Sequence, residues 1–266
     1  MKISVVMQSY LSDYPGSRSR PKEKFIRAVN SFLSQTHEDK ELVIVADGCE
    51  HTKQIYELLY SENEYIRFAY VAKNKNTKNM YEKTSDNENT TTYYRGTPRR
   101  IGCSLATGDL ITYFDSDDIM LPHRLSDIYN AWKDKSQNIK WSSNPLRYFH
   151  EKAFKFSDKE EIRRAQEQKN PSINLINYGI KDKFYLDISA PPDKVSGASY
   201  ALVHRKNIIS TWRDVQLIRD KNGNVISGTS EDMQFMRDLR DIDKSPYFRQ
   251  ESASLVICHY TGIWDV

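Results

Sequence analysis

Three carboxylates fall within four positions of this chain, in the run Asp115-Ser116-Asp117-Asp118. They directly follow Leu110–Phe114, a stretch of apolar and β-favouring residues that is typical of a buried strand. Because unpaired charge is costly to bury, the carboxylates must lie where the strand ends and face water, a cation or a polar ligand. Hard divalent cations prefer such oxygen ligands. Taken alone, the run is also compatible with a solvated turn that caps the next helix.

A second acidic pair, Glu231-Asp232, opens a predicted helix over residues 231–240. A carboxylate at a helix start can act as a general base, and two adjacent acids can raise the pKa of one of them. Acidic residues are also common at helix starts simply because they interact well with the helix dipole. Both interpretations stay open from the residues alone.

The elements that must position these groups alternate between strands and helices. Strands are predicted at 3–7, 41–46, 65–71 and 110–114, and helices at 22–35, around Ile55–Leu59, at 99–107 and from Pro122. This alternation predicts an α/β fold with a mostly parallel central sheet flanked by helices. Tyr10, Asp47 and the acidic run follow three of these strands, at the edge where open α/β sheets bind ligands.

The second half of the chain gives weaker signals. Strands are expected at 139–143, 146–150, 199–204 and 255–258, a charged helix at 158–169, and a hairpin turn at Asn222-Gly223. Residues 73–92 are dense in Asn, Lys, Thr and Glu, which predicts a long, polar and mobile excursion. The loop 12–21 is rich in Pro, Gly and Ser, and regular structure is not expected there.

Composition narrows the function classes. The net charge is +3 with a pI near 8.5, which is too small an imbalance to indicate nucleic-acid binding. Cys49, Cys103 and Cys258 are widely spaced and contain no zinc-site pattern, so reduced thiols are expected. No apolar run approaches membrane-spanning length and no signal region follows Met1. These features favour a cytoplasmic protein, and they allow peripheral association with the inner face of a membrane.

Several motifs in order resemble the family 2 glycosyltransferases of the GT-A fold. The opening strand through Tyr10 is similar to the family's nucleotide-contacting turn, and residues 31–48 are similar to its second block. Arg99-Arg-Ile-Gly102 resembles the family's Arg-Asn-x-Gly helix start, and Leu110–Asp118 resembles its DxD block. The resemblance implies a single glycosyltransferase domain, with residues 1–118 as the nucleotide-sugar-binding half and 119–266 as the acceptor-side half.

The resemblance implies a donor site for a nucleotide-diphospho-sugar, with a UDP-sugar favoured. It places the base against the first two strand ends, where Tyr10 can stack on it and Gln8 can add an amide contact. Asp47 can only accept a hydrogen bond, so it favours a base that presents a ring N–H, such as uracil. Ordinary packing for Tyr10 and a turn carboxylate beside Gly48 for Asp47 are the simpler alternatives.

The DxD block implies a Mg²⁺ or Mn²⁺ site. In the resemblance Asp117 is the metal ligand, whereas Asp115, with Ser116, contacts the donor and also joins the metal shell. A planar guanidinium suits a diphosphate, which assigns Arg99 to the donor. Arg100 stands where the family usually has Asn, so the choice between the two arginines is open.

Two late residues complete the implied site. Asp232 matches the Asp that deprotonates the acceptor in family members that invert anomeric configuration, and His259 matches a late His that completes the metal shell in some relatives. A lone His is more often a packed or solvated residue. The implied acceptor is a hydroxyl of a carbohydrate or lipid-linked molecule, in the synthesis of a surface polysaccharide or glycoconjugate.

Two departures from the family pattern are visible, and two other functions remain. Ala46 replaces the first Asp of the usual Asp-Asp-Gly, and the loop 12–21 is longer than the family's short turn. A nucleotidyltransferase would share the sheet and the metal carboxylates, but it would usually carry a Gly-rich loop where this chain has Gln8-Ser-Tyr10. A nucleotide-sugar-binding module without turnover is the non-enzymatic alternative.

Overall fold

The structure is a computed structural model that describes most of the first half of the chain and parts of the second. The described ranges are 1–12, 21–73, 83–87, 90–143, 147–149, 186–187, 202–208, 212–222, 225–228, 231–241, 247–249 and 255–257. The predicted helix at 158–169, most of the loop 12–21, Cys258 and His259 lie outside the described residues.

Strands and helices alternate through the first half, as the periodicity predicts. These elements are β1 (Ile3–Ser9), α1 (Pro21–Leu33), β2 (Lys40–Ala46), α2 (Glu50–Leu59), β3 (Ile66–Tyr70), β4 (Lys83–Asn87), β5 (Thr90–Tyr93), α3 (Gly96–Leu105), β6 (Leu110–Tyr113), β7 (Ile119–Met120) and α4 (Arg124–Trp132). The described elements of the second half are β8 (Trp141–Ser143), β9 (Arg147–Phe149), β10 (Leu186–Asp187), β11 (Leu202–Arg205), β12 (Val215–Arg219), β13 (Val225–Ser227), α5 (Glu231–Asp241), β14 (Tyr247–Arg249) and β15 (Leu255–Ile257).

The central sheet has seven strands within the described residues, in the order β14-β8-β11-β6-β1-β2-β3. The pairs β6–β1, β1–β2, β2–β3 and β14–β8 are parallel, whereas β11 runs antiparallel to both of its neighbours. The predicted α/β class with a mostly parallel sheet is therefore confirmed. The sheet draws strands from both sides of residue 118, while the proposed division into two halves at that point stays a prediction.

The described residues of the segment 73–92 include two strands where a mobile excursion was predicted. β4 and β5 form an antiparallel pair, and β5 also pairs with β12 from far along the chain. Within the described residues, the order β13-β12-β5-β4 gives a second, four-stranded sheet in which β12 and β13 pair antiparallel. Gly223 of the predicted Asn222-Gly223 turn lies outside the described residues. The prediction was wrong for the strands because Thr90–Thr92 is polar in composition yet β-branched, and β-branched residues favour a strand once a partner is available.

The core lies between the central sheet and the helices on it. Every residue of β1 and β2 is buried, and the predicted apolar face of α1, with Phe25, Val29 and Phe32, is buried in the same core cluster. α3 approaches the sheet closely at Gly102, where an added Cβ would lie 2.3 Å from the Val6 side chain. Only glycine permits this approach, which fixes the position of α3 and of the arginines on it.

Candidate functional site

The ends of β1 and β2 are held side by side at one edge of the sheet. The Asp47 N–H donates to the Ser9 carbonyl at 3.1 Å, and the Leu11 N–H donates to the Cys49 thiol at 3.1 Å. Asp47 is fully buried, and its carboxylate lies 2.5 Å from the Lys73 ammonium. Tyr10 is partly buried and packs at the margin of the core.

The acidic turn lies at the same edge because β6 is parallel to β1. The Phe114 N–H donates to the Val6 carbonyl at 3.0 Å, so the next residues emerge beside the end of β1. Arg27 of α1 donates to the Asp117 carbonyl at 2.5 Å and secures the turn from the other side. Asp115 and Asp117 remain partly exposed, whereas Asp118 is buried.

A buried arginine connects this turn to the start of α5. We call Arg99, Asp115, Glu231 and Asp232 the crevice cluster. Arg99 Nη1 lies 2.6 Å from Asp232 Oδ1 and 3.5 Å from Glu231 Oε1, and Arg99 Nη2 lies 3.5 Å from Asp115 Oδ1. Gln8 accepts from Arg99 Nη2 at 3.1 Å when its amide oxygen faces the guanidinium. Carboxylates separated by more than 110 residues in sequence therefore share one cation.

The crevice cluster holds more negative than positive charge in a poorly solvated place. Burial raises the pKa of Asp115, and Asp117 and Glu231 raise it further against the opposing effect of Arg99. Burial and the adjacent Asp232 raise the pKa of Glu231 above its ordinary value, although Arg99 and Arg95 oppose this. Burial lowers the pKa of Arg99, but the three carboxylates outweigh it, so the guanidinium stays charged. The site is therefore arranged to attract a further cation or a proton.

Aromatic side chains form the floor beneath this cluster. The Arg99 guanidinium lies 4.7 Å above the Trp212 ring, and Trp212 stacks on Phe235 of α5 at 3.9 Å. The Trp212 indole N–H donates to the Tyr113 hydroxyl at 2.9 Å, and that hydroxyl lies 2.7 Å from His204 Nε2. Stacking and hydrogen bonding together fix the plane on which Arg99 rests.

Comparison with known proteins finds a family model that matches part of the chain. The model of "Glycosyl transferase family 2" matches residues 89–185, a range that includes Arg99 and the whole acidic turn. Over this range the chain is similar to glycosyl transferase family 2. The resemblance seen in the sequence motifs is thereby confirmed.

Relatives of the family match about half of the chain. A glycosyltransferase of Nostoc sp. strain PCC 7120, itself uncharacterized, is 29% identical over 134 residues, covering 50% of this chain and 33% of the relative. The poly(ribitol-phosphate) β-N-acetylglucosaminyltransferase TarP of Staphylococcus aureus is 23% identical over 140 residues, covering 52% and 35%. In each case the match spans about a third of the length of the curated relative.

Solved structures of S. aureus TarS share the fold. TarS 1–349 in complex with UDP-GlcNAc superposes with a TM-score of 0.55 at 15% identity, covering 97% of this chain and 58% of that chain. A longer TarS structure gives a TM-score of 0.56 at 14% identity, covering 97% and 37%. At such low identity the likeness establishes the fold alone, and it confirms the predicted GT-A architecture. Within the described ranges, none of the helices combines the length and apolar character needed to cross a bilayer.

The structure brings together several of the residues that family 2 motifs single out. Gln8, Arg99, Asp115 and Asp232 are joined by direct contacts, and Tyr10 and Asp47 lie at the neighbouring strand ends. Arg100 points elsewhere and donates to the Trp212 carbonyl at 2.9 Å. Ser116 is partly exposed between the two aspartates.

Two residues that contact the crevice cluster, Trp212 and Arg95, were not predicted from the sequence. Trp212 lies in a stretch without a recognisable motif, and nothing local indicates that it supports Arg99. Arg95 precedes α3, and its side chain, 41% exposed, lies 3.9 Å from Glu231. Arg95 lies outside the Arg99-Arg-Ile-Gly102 motif, so that motif does not indicate it.

The two exposed aspartates suit a divalent cation. The described residues contain no group of three or more His, Cys, Asp or Glu side chains arranged as a complete metal cage. Mg²⁺ does not need one, since it is commonly held by one or two carboxylates together with substrate phosphates. Asp117 raises the pKa of Asp115 by like-charge repulsion, and a bound cation would relieve that repulsion. The donor set of Asp115 and Asp117 therefore fits Mg²⁺ or Mn²⁺.

Proposed function

We propose that this chain is an inverting glycosyltransferase that moves a sugar from a nucleotide-diphospho-sugar to a hydroxyl acceptor. The observation that carries the proposal is the convergence of Asp115 and Asp232 on Arg99 at the carboxyl edge of the sheet. One carboxylate follows a central strand and the other opens a late helix. The match of residues 89–185 to the glycosyl transferase family 2 model supports the same reaction class.

The donor we propose is a UDP-sugar. Tyr10 and Asp47 lie at adjacent strand ends, where an aromatic face and a hydrogen-bond acceptor can receive a base. A carboxylate cannot donate, so Asp47 selects a base with a ring N–H, and uracil has one. The solved TarS structures contain UDP-GlcNAc and UDP, which makes UDP-GlcNAc the first donor to test.

Asp117 and Asp115 would hold Mg²⁺ or Mn²⁺, with His259 as a further candidate ligand outside the described residues. When bound, the ion supplies positive charge that stabilises the departing diphosphate. Arg27 fixes the backbone beneath Asp117, so its carboxylate is presented from a rigid turn. Arg95 lies 3.9 Å from Glu231 with a side chain that is 41% exposed, and its guanidinium is suited to a phosphate oxygen.

Asp232 is the general base in this mechanism. As the acceptor oxygen bonds to the anomeric carbon, its proton passes to the Asp232 carboxylate, and the bond from that carbon to the diphosphate oxygen breaks. Attack from the face opposite the leaving group inverts the anomeric configuration. Asp232 is 22% exposed, which is open enough to meet an acceptor and close enough to Arg99 to stay oriented.

The acceptor we propose is a hydroxyl of a carbohydrate or of a lipid-linked carrier, in surface-polysaccharide or glycoconjugate synthesis. The S. aureus relative TarP, whose name describes transfer of N-acetylglucosamine to poly(ribitol phosphate), supports this class of acceptor. The matched region is a third of that protein, so the proposal extends to the class of acceptor and no further.

A panel of UDP- and GDP-sugars tests the function directly. With Mn²⁺ present, we expect release of UDP from at least one UDP-sugar and little release of GDP. Proton NMR of the first sugar formed by hydrolysis should show the anomer opposite to that of the donor. Absence of nucleotide release from every donor would overturn the proposed transferase, and release with retained configuration would overturn the inverting mechanism.

A further inference from the structure

Arg99 is closed off from the open crevice. Its side chain is 5% exposed, and its two terminal nitrogens contact Asp232, Glu231 and Asp115. One face of the guanidinium lies on Trp212. A diphosphate could reach these nitrogens only by displacing carboxylates that already occupy them. This arrangement differs from the direct donor contact that the sequence motif leads one to expect.

The Trp212 ring on which the Arg99 guanidinium stacks is itself fixed by neighbouring residues. Trp212 is fixed by stacking on Phe235 and by its hydrogen bond to Tyr113. Tyr113 belongs to β6 and Phe235 to α5. The Trp212 ring therefore contacts the strand that precedes Asp115 and the helix that carries Asp232. Gly102 places α3 against the sheet and sets the height from which the Arg99 side chain extends.

The planar shape of the guanidinium matters in this setting. Its N–H groups point in fixed directions, so a carboxylate that pairs with it has a defined orientation. Asp232 pairs with one terminal nitrogen and Asp115 with the other. The separation between the two carboxylates is therefore set by a rigid group. A lysine ammonium would supply the same charge as a point, without these directions.

We propose that Arg99 is a positioning residue that orients the Asp232 carboxylate relative to Asp115 and to the donor bound there. This inference rests on the proposed function, because it assigns Arg99 a role that acts through the general base. It predicts that loss of the guanidinium geometry lowers kcat and leaves the affinity for UDP nearly unchanged. A residue that grips the diphosphate would show the reverse.

Arg99→Lys is the variant that separates these roles. Misplacement of a reacting group by about 1 Å can reduce turnover on the order of 100-fold, and a loss of that size in kcat is expected. The Kd for UDP with Mn²⁺, measured by calorimetry, should stay within about threefold of wild type, because Arg99 does not touch the nucleotide in this account. Retained UDP binding also shows that the variant is folded.

Arg213→Lys is the matched control. Arg213 forms a two-pronged pair with Asp238 on α5, the helix that carries Asp232. Its Nη2 lies 2.5 Å from Asp238 Oδ1, and its Nε lies 3.1 Å from Asp238 Oδ2. The substitution disturbs an arginine–carboxylate pair on the same helix without touching the crevice cluster. We expect kcat close to wild type, which would show that general loosening of α5 is not the cause of the Arg99 effect.

A double-mutant cycle with Asp232→Asn distinguishes positioning from unspecific damage. If Arg99 acts through Asp232, Arg99→Lys should lower kcat little further once the Asp232 carboxylate is gone. Equal losses in both backgrounds, or a large rise in the Kd for UDP with kcat retained, would overturn the positioning role and leave the transferase intact. Wild-type protein that neither binds UDP nor releases it from any UDP-sugar would instead overturn the proposed function, and this inference with it.

Discussion

Two acidic clusters lie at opposite edges of the central sheet. They differ in how fully neighbouring donors and cations compensate the negative charge of their carboxylates. Glu41, at the start of β2, accepts from the Ser4 hydroxyl at 2.5 Å and from the Thr107 hydroxyl at 2.7 Å, and it pairs with the Lys2 ammonium at 3.0 Å. At the carboxyl edge, the three carboxylates of the crevice cluster all contact the Arg99 guanidinium, and Arg95 lies 3.9 Å from Glu231. One carboxylate is fully satisfied, whereas the others compete.

The pKa of Glu41 and the pKa values of Asp115 and Glu231 are shifted in opposite directions by this difference. Burial alone would raise the pKa of Glu41, but hydrogen bonds from Ser4, Thr107 and Lys2 outweigh it and bring the pKa to about 2. Burial raises the pKa of Asp115 and of Glu231, and their neighbours do not fully compensate. The Glu41 cluster therefore stabilises the fold, whereas the crevice cluster keeps unfavourable charge available for a ligand and a proton transfer.

Among these predictions, Asp232→Asn should cause the largest change, a loss of turnover that arises in the crevice cluster. Removing a general base typically lowers turnover by about 10²–10⁴-fold. Release of UDP from the best UDP-sugar is the measurement, with the UDP affinity expected to persist. Asp134→Asn, an exposed aspartate in the turn after α4, is the matched control and should retain wild-type turnover. Full turnover in Asp232→Asn would remove Asp232 from the mechanism.

The support beneath the crevice cluster should be sensitive to acid. Burial lowers the pKa of His204 to about 4, and Nε2 accepts from Tyr113 while Nδ1 faces the Arg205 carbonyl. Because the unfolded chain binds this proton more readily, stability is present above pH 6.5 and is lost as pH falls toward 4. The shift corresponds to about 3 kcal/mol in the free energy of unfolding.

Urea unfolding of wild type and His204→Asn at pH 7 and pH 4.5 measures this loss. The variant lacks the titrating ring, so its free energy of unfolding should fall less between the two pH values than that of wild type. An identical decrease in the free energy of unfolding of the two proteins would show that protonation of His204 does not cause the loss of stability in acid.

The smallest expected effects are on the free energy of unfolding, which should differ between a substitution in the Glu41 cluster and one in the crevice cluster. Glu41→Gln weakens charge-assisted hydrogen bonds in a buried network and should cost about 2 kcal/mol in the free energy of unfolding. Glu231→Gln removes one of the competing carboxylates and should leave stability unchanged or slightly higher. Chemical denaturation at neutral pH compares them. Similar losses in both variants would contradict the contrast between the clusters.

Much of this arrangement is visible in the sequence, because its signals are local. The apolar runs of β1, β2 and β6 and the polar residues after them predict the sheet and the edge at which Asp47 and Asp115 meet. The Glu231-Asp232 pair is likewise local to the start of α5. These features need only a few consecutive residues to be recognised.

The rest depends on contacts between distant parts of the chain. Trp212 supports Arg99 across more than 100 residues, and no local pattern indicates that pairing. β5 is polar in composition and becomes a strand through its pairing with β12. The burial of Arg99 among carboxylates also cannot be predicted from the motif. A motif gives the residue type at a position but not the residues that surround it in space.

Binding of UDP in the presence of Mn²⁺ tests the central claim, that the carboxyl edge of the sheet is a nucleotide-sugar site. Thermal unfolding of wild type and Asp117→Ala should be followed with increasing UDP, with and without Mn²⁺. We predict that UDP with Mn²⁺ raises the Tm of wild type in a concentration-dependent way, reaching about 2.7 kcal/mol of stabilisation at a hundredfold excess over Kd. Asp117→Ala should lose the metal-dependent part of that rise. No stabilisation of wild type by UDP, with or without metal, would contradict the account.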